Sequence, residues 1–206
     1  MPAQNTRTRI VEAARRLFNK HGTKAVSTNR IARHLGISPG NLYYYFRNKE
    51  QIIREIFVRM NRDMVGFWSL DGDPSLEDML ERSNRALFIM WKYRFFTREL
   101  VSLLHADPTL TEDYRSVRAN RWKESEAFMK GMVASGVLKV PDDPTTLDSL
   151  LKIIWFIQEN WTSYLDIRGE AISRKNVRES GRLVLQVLRP YLSEEASAAL
   201  STIGGE

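Results

Sequence analysis

The chain has no cysteine among its 206 residues. That excludes disulfides and thiolate metal ligands, and it fits a reducing compartment. Its three histidines, His21, His34 and His105, are scattered and show no metal-ligand spacing. Neither a metal nor a cofactor is therefore expected. No run of about 18 apolar residues occurs, which leaves no candidate for a membrane span. The N-terminal MPAQNTRTR lacks the apolar segment of a secretory signal, so the expected location is cytoplasmic. Paired carboxylates, a Ser/His/Asp set and a glycine-rich phosphate loop are also missing. An α-helical enzyme is accordingly only a remote alternative. No stretch alternates as a β-strand would, and there is no internal repeat.

Apolar residues make up 43% of the chain, enough for a real core. The net charge of +6 is unevenly spread. Residues 1–60 hold twelve Lys/Arg and three Asp/Glu, a balance of +9, whereas residues 61–206 sum to −3. A basic excess confined to one segment is the electrostatic footprint of phosphate binding. It also reads as a solubilising surface.

The basic segment contains STNRIARHLGISPGNLYYYFRNK, Ser27 to Lys49. Ser27 is placed to cap a helix over about Thr28–Leu35, with Ile31, Ala32 and Leu35 as its apolar face. Gly36 ends it, because glycine enters the left-handed C′ conformation without steric cost. Ser38 caps a second helix, about Pro39–Tyr45, in which Pro39 takes the first position. Two short helices joined by a glycine-containing turn make a helix-turn-helix, whose second helix reads the major groove. Gly22, Ser27, Ile31, Ala32, Gly36, Ser38, Gly40, Leu42, Tyr43, Phe46, Lys49 and Glu50 form an ordered pattern. It resembles the DNA-binding signature of TetR-type bacterial transcriptional regulators, over roughly residues 5–60.

The resemblance implies that Ser27, Thr28, Asn29, Arg30, Ser38, Pro39, Gly40, Asn41, Tyr43, Tyr44 and Lys49 form a DNA-binding set. The ammonium of Lys49 would meet a backbone phosphate. Pro39, Gly40, Asn41 and Tyr44 would lie nearest the bases, with Tyr43 toward a phosphate. Asn41 either pairs with adenine or only supports its helix. Arg30 departs from the family, which often has an acid there. It opposes the helix dipole unless a phosphate lies beside it, and a solvated arginine is an equal reading.

The rest reads as helices, for an all-α fold of about nine. The first spans about Thr6–His21, after a disordered arm, with Ile10, Ala13, Ala14, Leu17 and Phe18 on one face. Asn48 and Gln51 form a capping-box-like pair, and open a long helix, about 49–68, that links head to core and ends in Phe67 and Trp68. Beyond the break at Leu70–Ser75, helices are expected over about Leu76–Trp91, from near Thr97, from Asp107-Pro108 to Gly136, over about 144–168, and over Ser173–Leu192. The tail from Ser193 reads as weakly ordered. The expected division is 1–50 for DNA binding and 51–206 for regulation, effector binding and dimerisation.

In the TetR-type plan the last two long helices, about 144–168 and 173–192, form a four-helix bundle across a two-fold axis. The run Ile153, Ile154, Trp155, Phe156 and Ile157 needs cover on several sides, which a second subunit or the monomer core would supply. Gly181 inside the last of these helices costs up to about 1 kcal/mol against alanine, and either a close helix approach or chance accounts for it. Phe88, Trp91, Trp122 and Trp155, with Phe95, Phe96, Phe128 and Phe156 nearby, either line a pocket for a small apolar or aromatic effector or simply pack. The expectation is a homodimeric regulator that binds a double-stranded DNA operator, most often as a repressor released by a small molecule. The alternative is an effector-free member acting through a protein partner.

Overall fold

The computed structural model describes residues 2–65, 72–143 and 145–203. Phe67, Trp68 and Pro144, to which the sequence assigns roles, lie outside the described residues. The fold is all-α as expected, with eleven α-helices among the described residues and one isolated bridge, Leu138 with Leu192. They are α1 Pro2–His21, α2 Thr28–Leu35, α3 Pro39–Tyr45, α4 Lys49–Asp63, α5 Leu76–Lys92, α6 Arg94–Arg98, α7 Leu100–Ala106, α8 Pro108–Ala134, α9 Thr146–Ile167, α10 Arg174–Leu188 and α11 Glu194–Ile203.

Several boundaries differ from the sequence reading. The expected arm before Thr6 is the start of α1. The helix after Asn48 ends at Asp63, where Met64 closes it in a tight turn. The helix expected from near Thr97 is two, α6 and α7, broken at Glu99. The tail expected to be loose forms α11, with Ala196 buried. It is tied down because Ser193 N donates to Val137 O at 3.0 Å, and Lys139 N to Tyr191 O at 2.7 Å.

The chain packs as two compact units, residues 1–65 with 92–113, and residues 66–91 with 114–206. This division differs from the expected one at residue 50. In the first unit α1 lays Ile10, Ala14 and Phe18 over α2 and α4, which contribute Ile31, Ile52, Ile56 and Phe57. The segment after α5 completes that core. Phe95 meets Phe18 with ring centroids 5.2 Å apart, and Phe96 stacks on Phe57 at 5.2 Å. Both phenylalanines were grouped by sequence with the aromatic interior of the second half, and they belong instead to the first unit. Burying each such ring contributes about 1.5–3 kcal/mol.

In the second unit a core of Met79, Phe128, Met132, Leu151, Val184 and Leu188 joins α5, α8, α9 and α10. Gly181 of α10 faces Leu87 of α5. A Cβ there would lie 2.7 Å from the Leu87 Cδ1. Of the two readings of this glycine, close approach and chance, the facing Leu87 side chain fits the first.

Candidate nucleic-acid interface

The helix-turn-helix is built by local capping. Ser27 accepts from Arg30 N through its hydroxyl at 3.2 Å, and Ser38 from Asn41 N at 3.1 Å. Between them Gly36 adopts φ 67°, and the Ile37 N–H returns to Ala32 O at 3.1 Å. This reverses the chain within three residues and sets α3 against α2. The Thr28 and Tyr43 hydroxyls, 3.0 Å apart, join the two helices. Leu42 and Phe46 turn inward and are buried. Ile37, in the turn between the two helices, is half-buried.

What remains outward is the predicted set. Ser27, Asn29, Ser38, Pro39, Gly40, Asn41, Tyr43 and Tyr44 are exposed, and Tyr44 reaches 82%. Gly40 has no internal reason to be glycine. Its φ is not positive, and an added Cβ would meet only Ser38 Oγ, at 3.9 Å.

Two predicted cations have internal partners. Arg30 is half-buried, and its Nη1 donates to Ala25 O at 3.1 Å. Lys49 is also half-buried and donates through Nζ to Thr23 O at 2.9 Å. Of the pair read as a capping box, Asn48 does cap Gln51 N at 2.9 Å, but the Gln51 Oε1 accepts from Arg47 N rather than from Asn48.

No acidic residue occurs between Glu12 and Glu50. Lys24, Arg33 and Arg47, absent from the sequence-derived set, are exposed and, among the described residues, make no side-chain hydrogen bond or ion pair. Other cations are engaged: Arg7 with Glu55 at 2.6 Å, and Arg54 with buried Asp107 at 2.6 Å.

Sequence reasoning also missed what holds the interface from behind. The Glu99 carboxylate accepts from Thr23 N at 3.1 Å and from the Thr23 hydroxyl at 2.5 Å. Arg15 and Asn19 donate to Lys92 O at 2.8 and 2.9 Å, and Asn19 Oδ1 accepts from Phe95 N at 3.0 Å. The available signal was Asn19 itself, a polar side chain next to the apolar stripe of α1. Asp63 accepts from Lys92 at 2.6 Å and from the Tyr93 hydroxyl at 2.8 Å. Burial pushes the Asp63 carboxyl up, but the hydrogen bonds from Lys92 and Tyr93 outweigh it and hold its pKa below the ordinary value. Burial, then the same hydrogen bond, pushes the Tyr93 hydroxyl up.

In the second unit the four aromatics proposed for an effector pocket are paired two by two. Phe88, half exposed, lies 6.3 Å from Trp91, with Arg174 over both rings. Trp122 lies 5.5 Å from Trp155, whose face carries Arg118 at 4.9 Å. Arg118 also pairs with Glu159 at 2.8 Å. A cavity of about 370 Å³ is present in this unit, but other residues of α5, α9 and α10 line it and none of the four aromatics does.

Comparison with known proteins agrees with this architecture. The family described as "Bacterial regulatory proteins, tetR family" matches residues 10–56, and "Bacterial transcriptional repressor" matches residues 59–200. The crystal structure of a TetR-family transcriptional regulator from Marinobacter aquaeolei VT8 superposes with TM-score 0.87 at 31% identity, over 96% of each chain. The uncharacterized HTH-type transcriptional regulator YhgD of Bacillus subtilis is 25% identical over 157 residues, 74% of this chain and 82% of that one. The similarity to the HTH-type transcriptional regulator UidR of Escherichia coli is higher, 44%, but confined to 57 residues, 28% of this chain and 29% of that protein. A helix-turn-helix in an acid-free segment, set in a fold shared over 96% of the chain and matched by both family models, places this chain in the TetR family of bacterial transcriptional regulators, which are DNA-binding proteins and not enzymes.

Proposed function

We propose that this protein is a cytoplasmic repressor that binds a pseudopalindromic DNA operator as a homodimer and leaves it when a small molecule binds the second unit. The observation that carries the DNA reading is the division of labour on α3. Leu42 and Phe46 are buried, while Ser38, Pro39, Gly40, Asn41 and Tyr44 are exposed, in a stretch of chain that has no acid between Glu12 and Glu50. N-terminal residues of a recognition helix meet base edges, so Pro39, Gly40, Asn41 and Tyr44 read the sequence. Ser27, Thr28, Asn29, Arg30, Tyr43 and Lys49 position the backbone, joined by Lys24, Arg33 and Arg47. Contacts of the second kind carry no sequence information but fix register.

Dimerisation is supported by α9. Ile153, Phe156, Tyr164 and Ile167 are exposed at 44%, 69%, 46% and 85%, and their spacing puts them on one stripe. Leu183 of α10 is exposed as well. A second copy of these helices would cover the stripe, and a dimer of this kind must offer its two recognition helices to half-sites ~34–36 Å apart. Phe156, expected by sequence within an aromatic interior, is part of this outer stripe. The cavity in the second unit supports a small-molecule effector.

Binding to DNA upstream of the protein's own gene, followed across salt concentrations, tests the proposal. The log–log plot should fall linearly, by about 0.9 per phosphate neutralised. Replacing both Lys24 and Arg47 with alanine should flatten it by roughly two units without selecting between sequences. A slope near zero for the intact protein would remove the DNA reading.

A further inference from the structure

We propose that the cavity between α5 and α10 is a binding site for a single-chain amphipathic carboxylate. Its regulatory consequence rests on the effector reading above; its existence does not. The cavity lies wholly within the second unit and, at about 370 Å³, falls at the small end of ligand sites. Gly181 and Leu87 shape it. Because α10 has no side chain at 181, the two helices approach closely beside it. Leu183 lies two residues on, so the cavity occupies the face of α10 opposite that exposed leucine.

The floor is aliphatic, from Met79, Leu87, Val184 and Leu188, all buried. The rim is polar and cationic. Lys175 and Arg178 of α10 stand exposed on it, with Ser83 and Asn84 of α5 and Gln158 of α9 also in the lining. None of these five side chains makes a hydrogen bond or an ion pair within the described residues. Glu179, the one carboxylate among the described lining residues, is already paired with Arg182 at 3.3 Å.

A second observation points to an anion. The first turn of α10 begins Arg174-Lys175 and contains no acidic residue. Cations there oppose the helix dipole, whereas an anion at the same end is stabilised. A carboxylate held by Lys175 and Arg178 would relieve that opposition, and its aliphatic chain would lie against Met79, Leu87 and Leu188. Neutral hydrocarbon would leave the cations unpaired. An organic cation would meet two like charges.

Titration calorimetry of the full-length protein with sodium octanoate, 1-octanol and octyltrimethylammonium separates these ligands. Octanoate should bind, and the trimethylammonium compound should not. The double variant Lys175→Gln/Arg178→Gln changes only exposed side chains, so its melting temperature should stay put. It should lose at least tenfold in octanoate affinity while octanol binding is unchanged. Gly181→Ala should weaken both ligands together, because the new Cβ drives the Leu87 methyl toward the cavity. Failure of octanoate to bind, or equal binding to the double variant, overturns the proposal, as does a preference for the cation. Octanoate that binds in this way without altering operator affinity leaves the site standing and removes the effector-release reading instead.

Discussion

Glu99 and Thr23 stand 76 residues apart in the chain, yet the Glu99 carboxylate accepts both the backbone N–H and the hydroxyl of Thr23. Thr23 in turn offers its carbonyl to the Lys49 ammonium. The loop between α1 and α2 is thus held on one side by the residue between α6 and α7, and on the other by the start of α4. Gly22, at φ 77°, lets the loop turn there, and a Cβ on it would sit 3.1 Å from Glu99 Oε1. The recognition helix is supported by a segment beyond the helix-turn-helix, and that makes its stability testable from a distance.

Glu99→Gln should destabilise the protein by about 1.5–3 kcal/mol, toward the low end because the carboxylate keeps some contact with water. The urea midpoint should fall with an unchanged slope. Operator affinity should drop as well, although Glu99 lies outside the proposed DNA-binding set. An unchanged midpoint would show that the bonds to Thr23 hold nothing.

Gly40→Ala should leave stability unchanged or raise it by up to about 1 kcal/mol, since alanine is the better helix former and its Cβ meets only Ser38 Oγ, at an ordinary contact distance of 3.9 Å. DNA affinity should nevertheless fall, because the methyl group would stand where α3 approaches the groove. Asn41→Ala should act differently. It removes a proposed reader, so discrimination at one base pair should shrink by about 1–3 kcal/mol, read from a panel of single-base operator variants. A preference identical to wild type would reduce Asn41 to helix support.

Phe156→Arg should break the proposed subunit contact. A large aromatic at the centre of an interface typically accounts for 2 kcal/mol or more, so the dimer dissociation constant should rise at least about thirtyfold. Sedimentation over a dilution series should show the dimer dissociating at concentrations at least about thirtyfold higher than wild type requires. A full operator should then bind no better than one half-site. If the mass remains that of a dimer, the apolar stripe on α9 has another purpose.

Asp63 and Glu55 predict an acid limit. At Glu55 burial pushes the carboxyl up, but Arg7 and Arg59 outweigh it, so both groups have folded pKa values below their ordinary 3.8 and 4.5. Their contribution is complete above those ordinary values and is lost as pH falls through the lower folded values. Melting temperature should therefore hold near neutrality and decline below about pH 4.5. Asp63→Asn should lower stability at pH 7 and flatten the acid limb. An acid limb as steep as wild type would mean that the Lys92 and Tyr93 contacts contribute little.

The helix-turn-helix was legible in the sequence to the residue because its determinants are local. Ser27, Gly36, Ser38 and Pro39 each act on backbone within four positions of themselves, so chain order alone specifies both helices and the turn. The all-α class was legible for the same reason, through apolar spacing and caps such as Asp107. Tertiary structure decided what depends on which distant groups meet. Phe95 and Phe96 are apolar in any context, and nothing local says that they pack on Phe18 and Phe57 rather than among the tryptophans of the second half. Likewise, nothing within reach of Glu99 in the chain announces Thr23. Gly181 reads in sequence as a costly helix residue, and only the facing Leu87 explains it. The cavity beside that pair, like the break between α6 and α7, follows from close packing of separated helices. Packing distances of a few ångströms between residues far apart in the chain leave no periodicity for sequence reading to detect.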